Sequence, residues 1–184
     1  MTTMKAKVLP WLLTLVLLAG AWTLVKITLP VGSAQEPFVT VASLGETAHA
    51  RNLAVTVTDV HAARSVVDAE GWSAEGAWLV VDLEASSQVT QQYAALRDAT
   101  LTAGDRTFSA TDRGTTFLGQ ALVTGVPRSG SLAFQLPDDV LDDSATLRLA
   151  LTNSTLDGVI ELEIDIAAVP VESEVTLQEN GWAR

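Results

Sequence analysis

The chain of 184 residues contains no cysteine, which excludes disulfides, thiolate metal sites and a cysteine nucleophile. All three lysines lie in the first 26 residues and every acidic residue lies from Glu36 onward, where 8 Arg (11 Lys plus Arg, minus 3 Lys) oppose 22 Asp plus Glu, a net charge of 8 − 22 = −14. Such an acidic domain repels phosphate backbones, so we expect no nucleic-acid partner, and the same repulsion argues against its lying on an anionic lipid surface.

The N-terminal segment is predicted to be a membrane anchor. Residues 1–7 carry Lys5 and Lys7 and are assigned to a cytoplasmic N-terminus. Residues 8–29 are assigned to a transmembrane helix, since the 18 residues from Val8 to Val25 (25 − 8 + 1) carry no charge and span about 27 Å as a helix. Pro10 is expected in its first turn. The preceding lysines place the C-terminal domain outside the cytoplasmic membrane, in a single-pass arrangement.

A cleaved signal peptide is the alternative to this anchor. The tripeptide Ala19-Gly20-Ala21 directly follows the apolar stretch and has the A-x-A pattern of a cleavage site. Cleavage after Ala21 would release a secreted chain that begins at Trp22. The apolar run continues through Trp22–Val25, which favours the anchor, and both alternatives predict export.

The rest of the chain has the period-two pattern of β-strands, after a polar linker at residues 30–37. The clearest case is residues 158–166, where Ile160, Leu162, Ile164 and Ile166 alternate with acidic residues. Other predicted strands lie at residues 37–44, 52–60, 77–85, 99–103, 106–110, 131–136, 146–151 and 173–177. Turn signals such as Glu75-Gly76 separate them, and helical turns are expected only near 91–97 and 140–144. We therefore predict an all-β, antiparallel sandwich over residues 38–168.

A family resemblance supports this fold. The order NLAVTVTDV, WLVVDLEA, ATLTAGDRTF and GVPRSGSLAFQLP, within residues 45–166, resembles the bacterial telokin-like, immunoglobulin-like domains of unknown function found in exported and membrane-anchored proteins. The most telling part is the Gly-Pro turn and strand of Gly125–Pro137. The resemblance implies an immunoglobulin-like sandwich outside the membrane, and it brings no common catalytic set.

Catalytic and metal-binding patterns are missing from the sequence. There is no nucleophile elbow, zinc-protease motif or phosphate loop, so we predict no enzyme, no catalytic residues and no cofactor. The chain has two histidines, His49 and His61. Because His61 lies at the end of the same predicted strand as Leu53 and Val57, an even number of positions after them, it is expected to point inward with them as a structural histidine. The acidic run Asp138–Asp143 could bind calcium, but it lacks an EF-hand pattern and is interpreted as a solvated loop. No metal site is therefore assigned.

Three further features are candidates for contacts. Trp78 has the outward parity of its strand and, with Trp72, is expected to pack or to form a contact patch. Two strands would form an acidic sheet face if they paired, bringing Glu161, Glu163 and Asp165 beside Asp82 and Glu84, but these residues are interpreted as ordinary outward positions. The sequon at Asn153-Ser154-Thr155 is expected to be exposed.

The C-terminal tail, residues 169–184, is expected either to dock as an edge strand or to wait for a partner. From these features we expect a non-enzymatic accessory or binding module, anchored in the cytoplasmic membrane, that contacts another envelope protein. The alternative is a secreted ligand- or cation-binding protein.

Overall fold

The computed structural model describes residues 3–27, 37–141, 143–151 and 158–183, and the side chains of the helix at 11–23 and 26. The chain divides into two compact units, Met1–Glu36 and Pro37–Arg184. The sequon at 153–155 and Asp142 lie outside the described residues.

The first unit contains a single described helix, α1, at Thr3–Ile27. It begins before Val8, so the prediction that Pro10 occupies the first turn is wrong. Near the C-terminal end, the hydroxyl of Thr23 donates to the carbonyl of Ala19 at 2.7 Å, and the ammonium of Lys26 lies 5.8 Å from the ring centroid of Trp22.

Within the part of α1 that the structure describes, no helical stretch is both long and apolar enough to cross a lipid bilayer. The single-pass anchor assigned to residues 8–29 is therefore not supported by the structure and stays a prediction.

The second unit is a β-sandwich of two sheets, which confirms the predicted all-β architecture. The strands are β1 Phe38–Ala42, β2 Thr47–His49, β3 Leu53–Val67, β4 Ser73–Ser87, β5 Asp98–Ala103, β6 Arg106–Ser109, β7 Arg128–Leu136, β8 Ser144–Ala150, β9 Gly158–Asp165, β10 Val171–Glu172, β11 Val175–Thr176 and β12 Gly181–Trp182. One sheet has five strands in the order β1-β9-β8-β5-β6. The seven-stranded sheet has the central order β3-β4-β7, with β2, β10 and β11 along β3 and β12 along β7.

The alternation of apolar residues located most strands, but the strand pairing and some of the local structure differ from the prediction. Strand β1 pairs with β9 in parallel, and β10 and β11 pair with β3 in parallel, so the sheets are mixed rather than antiparallel. Gly76 lies inside β4 rather than in a turn. A 3-10 helical turn occupies Asp138–Val140 instead of 140–144, and residues 91–97 form turns and a bridge rather than a helix.

The acidic sheet face that would form if β4 and β9 paired does not exist, because these strands belong to different sheets. Asp82 and Glu84 lie on β4, beside β7, whereas Glu161 and Glu163 lie on β9, beside β8. Alternation identifies which side of a strand is polar but carries no information about its neighbour.

Two register shifts in the β3–β4 hairpin let β3 contribute to two hydrophobic clusters. Before the first shift, between Val57 and Asp59, the odd-numbered residues Leu53, Val55 and Val57 face the core between the sheets. After it, Ala62 faces that core. His61 is thereby turned to the outer face, so its predicted inward orientation is wrong. A bulge adds one residue and inverts the parity of everything that follows.

A second cluster covers the outer face of the seven-stranded sheet, away from the main core. It combines Trp78 and Val80 of β4 with residues of β3, β7 and the C-terminal tail, namely Ala63, Val66, Ala133, Val175 and Leu177. The tail is held by β10, β11 and β12 and by the amide of Gln178, which donates to Ser131 Oγ at 2.7 Å. In the structure, the tail is therefore part of the fold.

We predict that Leu177→Ala lowers the free energy of unfolding by about 2 to 5 kcal/mol, since Leu177 is buried in the outer cluster and its removal leaves a cavity. Val171→Ala is the matched control on the same tail; because Val171 is exposed, its effect should stay within about 0.5 kcal/mol. Denaturant unfolding of both variants measures the difference. Equal decreases in the free energy of unfolding of the two variants would mean that burial of Leu177 does not attach the tail to the domain.

Candidate functional site

A groove on the outside of the sandwich is the candidate site, and we call it the tryptophan groove. It encloses about 610 Å³ between β4 and β7 of one sheet and β6 of the other, a volume within the usual range for ligand sites. Its apolar lining comes from Trp72, Ala74, Trp78 and Phe108; its polar lining comes from Glu75, Thr107, Ser109, Thr111, Arg113 and Gln135.

The two indole rings form the aromatic wall of the groove. Their centroids lie 6.2 Å apart with an interplanar angle of 86°, the edge-to-face arrangement that aromatic pairs prefer. Trp78 is buried and Trp72 is half-buried. The indole nitrogen of Trp78 is buried without an acceptor among the described residues. Trp78 thus packs on the outer face, as its parity predicted, and also lines the groove.

Asp68 fixes the loop that carries Trp72. One carboxylate oxygen accepts from the amides of Glu70 and Trp72, at 3.0 and 2.8 Å, and the other accepts from the amide and hydroxyl of Thr115, at 2.9 and 3.0 Å. Burial raises the pKa of Asp68, but these four hydrogen bonds outweigh it and lower the pKa below its usual value. The carboxylate therefore joins the β3–β4 turn to the loop after β6.

Gly114 allows this contact. Its φ is +68°, and a Cβ placed there would lie 2.6 Å from Trp72 Cε3 and 2.9 Å from Asp68 Oδ2. Only glycine combines the left-handed backbone with so close an approach. The indole of Trp72 thus rests directly on the backbone of the loop that also supplies Arg113.

The rim of the groove carries opposite charges, since the side chains of Arg113 and Glu75 are both exposed there. Among the described residues, no acceptor is paired with the guanidinium of Arg113. The hydroxyls of Thr107, Ser109 and Thr111 supply further polar groups. The groove can therefore accommodate an apolar body flanked by hydrogen-bonding groups.

A larger hollow of about 760 Å³ lies along the ends of β8 and β9. Its wall has no aromatic side chain, and its charged members, Asp143, Glu163 and Asp165, are all acidic. Repulsion among these groups and the lack of an apolar anchor make it a weaker binding site than the tryptophan groove.

His61 lies among carboxylates rather than in a catalytic arrangement. Its Nε2 is 3.4 Å from Asp82 and 3.7 Å from Asp59, and its Nδ1 is 3.3 Å from Glu172. Asp82 also accepts a 2.5 Å hydrogen bond from Ser131. Asp82 therefore lies between the serine and the histidine, whereas activation of a serine requires the histidine to contact the hydroxyl.

His49 and the acidic run have structural partners. Gln88 Nε2 lies 2.9 Å from His49 Nδ1. Asp138 pairs with Arg64, and Asp139 pairs with Arg106 at 2.8 Å, a hydrogen bond that lowers the pKa of Asp139 against the opposing effect of burial. Across the described part of the chain, no three acidic or histidine side chains are grouped to hold a metal ion.

Sequence reasoning identified Trp72 and Trp78 but missed the residues that position them. Asp68 reads as an ordinary turn residue, and its contact with Thr115 joins positions 47 residues apart. The Asp68…Gly71 spacing was a usable signal for the turn. Arg113-Gly114 is a dipeptide typical of a turn, but nothing in the local sequence indicates that Gly114 contacts Trp72.

Comparison with known proteins places the groove within a matched region. A family model described as a domain of unknown function (DUF4352) matches residues 42–158. No match was found among curated proteins. A solved structure of an uncharacterized beta-sandwich protein from Clostridium difficile 630 is similar, with a TM-score of 0.47 and 12% identity over 68% of this chain and 95% of that chain. All residues of the groove lie inside 42–158, and the C-terminal tail lies outside it.

We predict that Gly114→Ala destabilises the domain more than Gly104→Ala. Both glycines have positive φ, but a Cβ at Gly104 meets nothing within 4 Å. Gly104→Ala is therefore the control, and its free energy of unfolding should fall by only about 1 to 2 kcal/mol, the cost of a left-handed backbone at alanine. At Gly114 the methyl also collides with Trp72 and Asp68, which adds about 1 to 3 kcal/mol. Thermal unfolding gives the difference, and an unchanged tryptophan emission spectrum in Gly114→Ala would contradict the contact.

We predict that Asp68→Asn lowers Tm by several degrees at neutral pH and that this difference shrinks in acid. The pKa of Asp68 is lowered in the folded state, so its stabilisation is present above the unfolded-state pKa of about 3.9 and is lost as the pH falls through the lower folded-state pKa. Thermal unfolding of both proteins between neutral pH and about pH 2 tests this. A difference that stays constant over the range would contradict the role of the carboxylate.

Proposed function

The chain belongs to the DUF4352 family of domains of unknown function, and we propose that it is a non-enzymatic binding module that contacts another protein through the tryptophan groove. The observation that carries the proposal is the pair of indole rings, held edge to face near Arg113, whose guanidinium has no acceptor among the described residues. Tryptophan and arginine dominate the energetic centres of protein interfaces. An immunoglobulin-like assignment of the sandwich is part of the same proposal.

Rigidity of the groove supports a binding role. Four hydrogen bonds to Asp68 and the contact of Gly114 with Trp72 fix the aromatic wall before any partner arrives. A partner therefore loses little free energy in ordering this surface, and a preformed site binds more tightly than a mobile one with the same contacts. The contacts of His61 and Ser131 support a non-enzymatic role. Both side chains contact Asp82, which lies between them, so the histidine does not contact the serine hydroxyl and cannot activate it as a nucleophile.

The acidity of the domain suggests the chemistry of the partner. A net charge of −14 after residue 35, from 8 Arg and 22 acidic residues, favours a partner with a basic surface around its contact. Within that setting, Arg113 offers one cation at the rim, where a carboxylate or carbonyl of the partner would be bound.

We also propose that the protein acts outside the cytoplasm, at the cytoplasmic membrane, with an envelope protein as its partner. Support comes from the uncharged run Val8–Val25 and the cleavage pattern ending at Ala21. Cell fractionation and N-terminal sequencing test this part. An intact N-terminus in the membrane fraction supports the anchor, a chain starting at Trp22 supports the secreted alternative, and an intact chain in the cytosol contradicts export.

The binding role is tested by crosslinking and affinity recovery from detergent extracts with the full chain. We expect Arg113→Ala to reduce recovery of the crosslinked partner about tenfold, as loss of a charged contact at an interface centre does. Arg106→Ala is the matched control, since it removes an exposed arginine outside the groove. Equal recovery with both variants, at equal Tm, would exclude the tryptophan groove as the contact surface.

A further inference from the structure

The loops at one end of the sandwich form a surface that differs from the rest of the domain, and we call it the loop end. It consists of residues 88–97, between β4 and β5, and residues 119–128, before and at the start of β7, together with β12. Hydrogen bonds join the two loops: Leu122 donates to Ala94 at 2.8 Å and Gly119 donates to Leu96 at 2.7 Å. The tail is attached there, since Ala183 donates to Pro127 at 3.0 Å.

Charge distinguishes the loop end. The domain carries 22 acidic residues, yet none lies between Glu84 and Asp98 or between Asp112 and Asp138. The loop segments instead contain Arg97, which is exposed, and Arg128. The net charge of the whole domain argues against an anionic surface, and the exposed Glu179 precedes β12, but the two loops themselves contain no acidic residue. An anionic surface would therefore orient the molecule with these loops towards it.

Large apolar and aromatic side chains project from the same loops. Tyr93 is 86% exposed, Val89 is 74% exposed and Trp182 is 57% exposed. Trp182 lies over the guanidinium of Arg128, 5.5 Å from the ring centroid. Tyrosine, tryptophan and arginine are the residues that favour the headgroup layer of a bilayer.

The backbone of the first loop is fixed in this arrangement. The side chain of Asn52 accepts from the amides of Val89 and Thr90, at 2.7 and 3.0 Å, and donates to the carbonyl of Thr90 at 2.9 Å. Tyr93 has a φ of +59° and is the non-glycine residue with positive φ among the described residues. Such a conformation is costly for a side chain this large and persists where the surroundings impose it.

From these observations we propose that the loop end rests on an anionic lipid bilayer, with Val89, Tyr93 and Trp182 in the headgroup layer and Arg97 and Arg128 beside lipid phosphates. A bilayer fits better than a protein, since each of these three side chains has more than half of its surface exposed. Protein interfaces are centred on well-packed pockets, whereas a fluid headgroup layer surrounds each side chain separately. This inference concerns a different surface from the tryptophan groove and does not depend on its partner.

The absence of cysteine allows a site-specific test with the full chain. Tyr93→Cys at the loop end and Asp105→Cys, at the β5–β6 turn of the opposite end, are each labelled with an environment-sensitive fluorophore. The proteins are added to vesicles of equimolar phosphatidylcholine and phosphatidylglycerol that contain a nitroxide-labelled lipid. We expect the label at position 93 to shift to shorter wavelength and to be quenched several-fold more than the label at 105.

Charge reversal tests the role of the arginine. Arg97→Glu should reduce the quenching at position 93 several-fold, and Arg106→Glu, which changes the net charge equally at the other end, should not. Higher salt should reduce the quenching as well. Arg113→Ala in the tryptophan groove should leave it unchanged, so a failed groove proposal and a failed lipid proposal are distinguishable.

Two results would overturn the lipid proposal. One is equal emission and quenching at positions 93 and 105 in protein that floats with the vesicles, which would mean that α1 alone holds the chain there. The other is a position 93 label that remains water-exposed on vesicles but becomes protected in the crosslinked complex, which would identify the loop end as a protein contact. Circular dichroism and Tm of each labelled variant establish that the fold is retained.

Discussion

Both hydrophobic clusters of the sandwich are built on the register of the β3–β4 hairpin. Strand β3 is paired along β4 from Leu53 to Val67, and the two register shifts turn its apolar residues first towards the core between the sheets and then towards the outer cluster. Without the first shift, His61 would enter the main core and Ala62 would face outward. The bulge therefore decides which residues are buried and which carry polar contacts.

The outer face of the seven-stranded sheet is where structure and proposed function meet. Trp78 is buried there under a cluster completed by Val175 and Leu177 of the tail, and its ring also forms part of the tryptophan groove. Stability and binding are thus linked through one side chain. The tail lies beyond residues 42–158, the part matched by the family model, so this chain completes its outer cluster with residues outside the matched domain.

Two surfaces of opposite character follow from the same sandwich. The tryptophan groove is concave, fixed by Asp68 and Gly114, and suited to a defined contact. At the other end, Tyr93 and Trp182 are exposed beside loops that contain no acidic residue. The sandwich separates the two surfaces, because the β3–β4 turn lies at one end of the strands and the loops after β4 lie at the other.

Local patterns in the sequence were enough to predict a β-sandwich and to locate most of its strands, because a half-buried strand imposes alternation on its own residues. Trp78 could be identified as a contact candidate from the same alternation, and Trp72 from its position in the adjoining loop. Pairing could not be predicted: β4 and β9 were expected to be possible neighbours, and β1 was not expected to run parallel to β9. The choice of neighbour depends on contacts between residues distant in the chain.

The acidity of the domain, its lack of cysteine, its alternating strands and its uncharged N-terminal run are all evident from the sequence. The orientation of His61, the buried role of Asp68 and the assembly of the tryptophan groove from β4, β6, β7 and two loops become evident only in the folded chain. The physical reason is that one inserted residue inverts a strand's parity, and one buried carboxylate joins distant loops. Neither leaves a local pattern in the sequence.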